Sequence, residues 1–245
     1  LPRVTRWQRI PSFSTSRNSK VNAVPLKIDI VSDVVCPWCI IGYKQLQRAL
    51  EQRSGKFDVS IRWHPFELNP DMPEQGQDIA EHVAMKYGAT AAQSSAARQR
   101  LVALGESLGF HFDYSGDRRM RNTFRAHQLL HWADQQGLQT PLKLALFEAY
   151  FSRGEDVSSP GVLAAVAGSV GLDQRAAEDV LADGRFAEAV RAEQRLWMDR
   201  DVYAVPAFFF DDGYPVPGAQ EPETFLRLLD KLYQRKTQAI SRADF

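Results

Sequence analysis

Strand-forming patterns sit at the two ends of this 245-residue chain, and a long helical block separates them. LKIDIVS at 26–32 alternates and predicts a strand. From Pro37 to about Arg53, Ile40, Ile41, Leu46 and Leu50 fall at helical spacing, and Ser54-Gly55 stops the helix. Val59, Ile61 and Trp63 alternate within FDVSIRWHPFEL at 57–68 to give a second strand, which Pro65 breaks. Strands return in VPAFFF at 205–210, followed by the hairpin turn DDG and by YPVPG, an edge strand limited by its prolines. Glu221-Pro222 then opens a terminal helix with Phe225, Leu226, Leu229 and Leu232 on one face. Two stretches that each supply part of one sheet must share one core. The expected fold class is therefore α/β, with a large all-helical insertion between the two parts.

NPDMPEQGQD at 69–78 reads as a linker into the helical block. Start and stop signals predict helices from Asp78 to Gly88, Thr90 to about Gly109, Arg119 to Gly137 and Thr140-Pro141 to Gly154. Further helices follow from Ser159-Pro160 to Gly171, Asp173 to Ala182 and Arg185 to about Arg200, with no repeat at a fixed period. The expected division is a basic leader at 1–24, a first half of the sheet domain at 25–74 and the helical insertion at 75–199. The second half of the sheet domain then falls at 200–237 and a tail at 238–245.

Lysine plus arginine equals aspartate plus glutamate at 30 each, so bulk charge points to no nucleic-acid partner. No apolar run approaches the ~18 residues of a membrane span, and no membrane partner is expected. The leader holds Arg3, Arg6, Arg9, Arg17 and Lys20 without an acid, the composition of an organelle transit peptide or of a disordered basic tail. Mitochondria are the expected location, with the cytoplasm as the alternative.

Cys36 and Cys39 are the two cysteines of the chain, held in SDVVCPWCIIGYK at 32–44. As a structural disulfide they would close too short a loop to stabilise the fold much. As zinc ligands they lack a second pair, and His127 and His131, at i and i+4 on one helical face, lack the glutamate of an H-E-x-x-H site, so no metal is expected. Redox use remains. Pro37 as the first helical residue puts the Cys36 sulfur at a helix N-terminus, where free N–H groups and the dipole favour a thiolate. This predicts an attacking Cys36 of low pKa and a resolving Cys39 one turn further in.

These residues, with HPFELNP at 64–70, NTFRAHQLLHWA at 122–133, LFEAYFSRGEDVSSPGVL at 146–163 and VYAVPAFFFDDGYPVPGAQ at 202–220, resemble the DsbA-like oxidoreductases of the thioredoxin superfamily, FrnE-type. The resemblance covers about residues 25–236. It implies a thioredoxin-like fold, dithiol–disulfide exchange with thiol- or disulfide-bearing proteins or peptides, and a cis-proline facing the cysteines. That proline matches Pro206 after Val205, so Val205, Pro206 and the apolar Trp38 are the implied substrate-binding residues. No cofactor beyond the redox-active disulfide is implied, and glutathione is a reductant or co-substrate compatible with the reading. Asn122, Thr123 and His127 match family positions too and read as helix packing.

The chain also departs from the pattern. DsbA has histidine where Trp38 stands, and a buried acid common in relatives six residues before the first cysteine is replaced by Ile30. Asp33 is the nearest acid. It reads as a turn residue bonding the backbone, with proton transfer to Cys39 as the other reading, and His64 is a weaker candidate for that task. Two other functions fit the architecture: a glutathione-dependent transferase or isomerase of the kappa-class or chromene-carboxylate isomerase type, whose members generally carry serine in place of Cys36, and a redox-independent binding module beside Trp38.

Overall fold

The computed structural model describes residues 8–9 and 23–243. Gln8–Arg9 forms the short strand β1, and Val24–Ser32 forms β2. Helix α1 spans Pro37–Glu51, β3 Phe57–Pro65 and β4 Gln77–Asp78. The helical block then runs through α2 (Ile79–Tyr87), α3 (Ala91–Ser107), the two-residue β5 (Arg119–Met120), α4 (Phe124–Gln135) and α5 (Gln139–Phe147). A π-helical turn at Glu148–Ser152 extends α5, and α6 (Pro160–Ser169), α7 (Gln174–Asp183) and α8 (Ala187–Met198) complete the block. Strands β6 (Ala207–Phe210) and β7 (Tyr214–Pro217) precede α9 (Pro222–Ala243).

The main sheet has the order β1-β3-β2-β6-β7. β2 lies at its centre, parallel to β3 and antiparallel to β6, with Val31 opposite both His64 and Ala207. A central strand is covered on both faces, and β2 is accordingly buried along its whole second half. On one face Ile28 and Ile30 pack with Phe208, Phe210 and the α9 residue Phe225. Helix α1 crosses here, so close that a β-carbon on Gly42 would come within 3.0 Å of the Phe208 ring. The opposite face carries a smaller apolar cluster of Val31, Trp197, Val202 and Ala207. The turn between β6 and β7 places Asp211 and Asp212 at φ 50° and 64°, the left-handed pair that a tight hairpin requires.

This is the expected fold class, a sheet built from both ends of the chain around a helical insertion. Several elements differ from expectation. α4 begins at Phe124, because Arg119 and Met120 pair with Gln77 and Asp78 as a small second sheet. α5 begins at Gln139, whose side chain bonds both backbone groups of Trp63 at 2.8 and 2.9 Å along the edge of β3. Pro141 thus falls third in the helix, where an N–H would still lack a partner. α9 continues through residues 238–243, read as tail, since nothing from Lys236 to Ala243 is a glycine or proline that would stop it. Of the leader, Gln8–Arg9 pairs antiparallel with Ile61 and Ser60, and the transit-peptide reading otherwise lies outside the described residues. Among the described residues no helix is long and apolar enough to cross a membrane.

Candidate active site

β2 ends at Ser32 and a short turn delivers Cys36 to the N-cap of α1, in extended conformation, with Pro37 as the first helical residue. The Cys39 N–H bonds the Cys36 carbonyl at 3.1 Å, closing the first turn and stacking the two thiols on one side of the helix. Cys36 keeps 3% of its surface and Cys39 none, whereas Trp38 between them is 48% exposed. One sulfur therefore borders the surface beneath an apolar side chain, and the other lies behind it.

The opposite wall comes from the segment between α8 and β6. The Val202 N–H bonds the Trp197 carbonyl, and Trp197 packs its ring on His64 and on Phe209, at centroid distances of 4.6 and 4.8 Å. This anchors the loop, and the Val205–Pro206 peptide bond is cis. The Cys36 sulfur sits 3.8 Å from the Val205 carbonyl oxygen. The structure thus brings Cys36, Cys39, Val205 and Pro206 together, with Trp38 at the rim.

Asp33 opens the turn before α1, its carbonyl accepting the Cys36 N–H at 3.3 Å, and its side chain bonds the backbone of a distant segment. It is fully buried, its Oδ2 accepts the Leu68 N–H at 2.8 Å, and its Oδ1 lies 3.4 Å from His127 Nε2. That contact is out of line for a hydrogen bond and leaves both atoms without one. Burial pushes the carboxyl up, but His127, the Leu68 N–H and the nearby Lys143 ammonium outweigh it and hold Asp33 below the usual carboxylate range.

Lys143 of α5 is the residue that sequence reasoning missed. It is fully buried, its Nζ donates to the Ser32 carbonyl at 3.4 Å, and the rings of Trp63 and Phe147 flank it at 5.5 and 5.1 Å. Burial pulls its pKa down to about 8 against the opposing charges of Cys39, Asp33 and Cys36. The signal was available: Gln139, Leu142, Leu146 and Phe147 are buried, and Lys143 falls at i+4 and i−4 on their stripe. A lysine on such a stripe must find compensation inside.

The two thiols titrate as a pair. The hydrogen bond with Cys39, burial and the Cys39 charge push Cys36 well up. Cys39 is held down although burial opposes it, because Cys36, Lys143, the Ser32 hydroxyl and the Asp33 backbone favour its thiolate. The sequence placed the depressed pKa on Cys36. The buried ammonium and its neighbours gather the stabilising groups on the Cys39 side instead.

The remaining candidates fall into place around this centre. The Asn122 side chain accepts the Phe124 N–H at the start of α4 and donates to the Met72 carbonyl, and Thr123 is buried beside it. His131 Nδ1 faces Glu193 at 3.4 Å, and among the described residues no group of three or more potential metal ligands forms. His64 lies on the other face of the sheet between Asp29 and Glu193.

Residues 27–230 match the DSBA-like thioredoxin domain. The chain belongs to this family. A probable DsbA oxidoreductase from Streptomyces coelicolor superposes with a TM-score of 0.79 at 30% identity, over 85% of this chain and 90% of that one. The uncharacterized protein YwbO of Bacillus subtilis (strain 168) is 25% identical over 210 residues, 85% of this chain and 98% of YwbO. The cytosolic disulfide reductase DsbM from Pseudomonas aeruginosa, solved with GSH, shares the fold with a TM-score of 0.57 at 14% identity, over 85% of this chain and 99% of that one. As a member of the DSBA-like family, the protein belongs among the thiol oxidoreductases, and Cys36 and Cys39 are its two cysteines.

Proposed function

We propose that the protein exchanges electrons with protein or peptide thiols and disulfides through a Cys36–Cys39 dithiol–disulfide couple. The observation that carries this reading is the approach of the Cys36 sulfur, at the N-terminus of α1, to the Val205 carbonyl just before the cis Pro206. In the reducing direction the proton shared by the pair moves to Cys39, and the Cys36 thiolate attacks a substrate sulfur. The substrate S–S bond breaks, one substrate thiolate leaves, and a mixed disulfide remains on Cys36. Cys39 then displaces the second substrate sulfur and closes the protein's own disulfide. Oxidation of a substrate dithiol is the same sequence reversed. Trp38, Val205 and Pro206 serve as the surface on which an extended, partly apolar chain lies during exchange, and exposed Tyr203 and Tyr87 widen it.

Glutathione is the small thiol proposed to reset the couple. Support comes from the fold shared with DsbM, solved with GSH. For the location, the acid-free leader supports mitochondria, and the mass of the mature protein tests this by showing whether about 24 residues are removed.

The functional test is oxidative refolding of a reduced protein and reduction of a peptide disulfide, by wild type, Cys36→Ser and Cys39→Ser. Wild type should catalyse at least one reaction and both variants should fail to turn over. A wild type inert in both, yet conjugating or isomerising small molecules with glutathione, would replace this reading with the transferase one.

A further inference from the structure

Exchange at this site moves a proton as well as electrons, and the inner sulfur has no solvent to exchange it with. Cys39, Asp33 and Lys143 are fully buried and His127 is nearly so. We infer that the helical insertion supplies the proton route: Lys143 exchanges a proton with Cys39, and the small pocket behind it passes that proton to His131, which faces Glu193 near the surface. This rests on the proposed exchange chemistry and extends it.

Three observations carry the inference. Lys143 is delivered by α5 to the end of β2, where its Nζ makes a long 3.4 Å bond to the Ser32 carbonyl. An ammonium has three donors, and one satisfied so weakly inside apolar walls is poised to give up a proton. Its lowered pKa of about 8 agrees with that placement. Second, a pocket just large enough for a water is lined by Lys143, His127, His64, His131 and Glu193 together. The side chains of His131 and Glu193 are 20% and 14% exposed, so the route has an end in solvent. Third, Asp33 Oδ1 and His127 Nε2 each hold an unused hydrogen-bonding position facing the other beside the lysine. The charged and titratable groups around Lys143 are thus Cys36 (the N-cap of α1), Cys39 from α1 and Asp33 from the turn before it, with His127 and His131 from α4, His64 from β3 and Glu193 from α8 lining the pocket it shares.

The step balances without a further reactant. The Cys39 thiol gives its proton to the Lys143 amine, and the thiolate attacks Cys36 in the mixed disulfide. The Cys36–substrate bond breaks, the substrate leaves as a thiolate with the bonding pair, and the Cys36–Cys39 bond forms. Lys143 then releases the proton through the pocket. When the protein instead oxidises a substrate, Cys39 leaves as a thiolate and takes its proton from Lys143.

Ellman's reagent separates the events, since capture on Cys36 releases one thionitrobenzoate and resolution by Cys39 a second. In wild type both phases should appear, the second with a pH inflection near 8. Lys143→Met is similar in length but leaves the Asp33 carboxylate without one of its buried cations, so its fold is checked by urea unfolding beside Lys143→Arg, which keeps the charge. Lys143→Met should slow the second phase about 10²-fold relative to the first, the scale of one general acid–base group, and abolish the inflection. Lys143→Arg keeps a charge that cannot be given up and should slow the second phase as well. His131→Phe should slow it less and shift its pH profile. An unchanged second phase in Lys143→Met, or full rescue with the wild-type profile in Lys143→Arg, would overturn the relay, the latter by reducing Lys143 to a fixed charge. A wild type that captures thionitrobenzoate and never releases the second would instead sink the exchange reading itself.

Discussion

The two faces of the sheet each bury a cluster of charges, and the histidines at their centres differ in how completely they are satisfied. On the far face His64 uses both ring nitrogens, bonding Asp29 and Glu193 at 2.6 Å each, while Arg62 only approaches Glu193 and Asp134 at 3.5 Å, its Nε making no hydrogen bond. Near the cysteines, Asp33 and His127 face each other at 3.4 Å with unused positions, and Lys143 holds a single long bond. A node whose donors and acceptors are matched fixes one arrangement. Partly matched groups keep a proton that can move. The His64 node therefore reads as a clamp joining β2, β3 and α8, and the Lys143 centre as chemistry.

The largest expected effect lies at the cysteines. Cys36→Ser should lower exchange by about 10³-fold or more, as removal of a nucleophile does. It should leave the far-face clamp, and hence the urea midpoint, nearly untouched. His64→Leu should do the reverse. It leaves Asp29 and Glu193 buried without their shared donor, a loss of about 3–5 kcal/mol of unfolding free energy, while capture of a disulfide by Cys36 stays within about twofold of wild type. Slowed capture with stability retained would break the comparison.

The clamp also has a pH signature. His64 is held above its ordinary 6.5: burial opposes this, and the bonds and charges of Asp29 and Glu193 prevail. Its contribution is fully present below about 6.5 and lost as pH rises through the raised folded value. Glu193 is held far below its ordinary 4.5 by His131, His64 and Arg62 against burial, so its contribution is present above 4.5 and lost in acid. The stability difference between wild type and His64→Leu should accordingly be greatest between about pH 4.5 and 6.5 and smaller at pH 9, as urea titrations at each pH would measure.

Smaller effects follow. Gly42→Ala would drive a β-carbon to 3.0 Å from Phe208 and 3.3 Å from the Ala219 backbone. It should lower stability by about 1–3 kcal/mol through overpacking. Trp38→Ala, at a half-exposed position, should change stability by no more than about 0.5 kcal/mol and show itself instead as a several-fold higher KM for apolar peptide disulfides.

Much of this architecture was legible because it is local. The alternation of 26–32 and 57–63, the Pro37 start of α1, the Asp-Asp-Gly turn and the cysteine spacing each act within a few residues. Asp33 was visible as the nearest acid, but its burial was not, since the Leu68 N–H and His127 reach it from 35 and 94 positions away. Lys143 was hidden by the start of α5. Reading Thr140-Pro141 as the helix opening drew attention from Gln139, whose bonds to Trp63 seat this helix against β3. The pairing of β4 with β5 involves two residues on each side, too few for any periodicity. The His64 node likewise joins positions 29, 64 and 193, which no sequence window contains.

The central claim, that Cys36 attacks and Cys39 resolves, is tested most directly by intact-mass spectrometry after reduced protein is mixed with a disulfide-linked peptide. Cys39→Ser should accumulate one peptide on Cys36, Cys36→Ser should remain unmodified over the same interval, and wild type should lose two hydrogens and carry no adduct. Equal adduct formation in Cys36→Ser, or a wild type that gains neither adduct nor internal disulfide, would contradict the account.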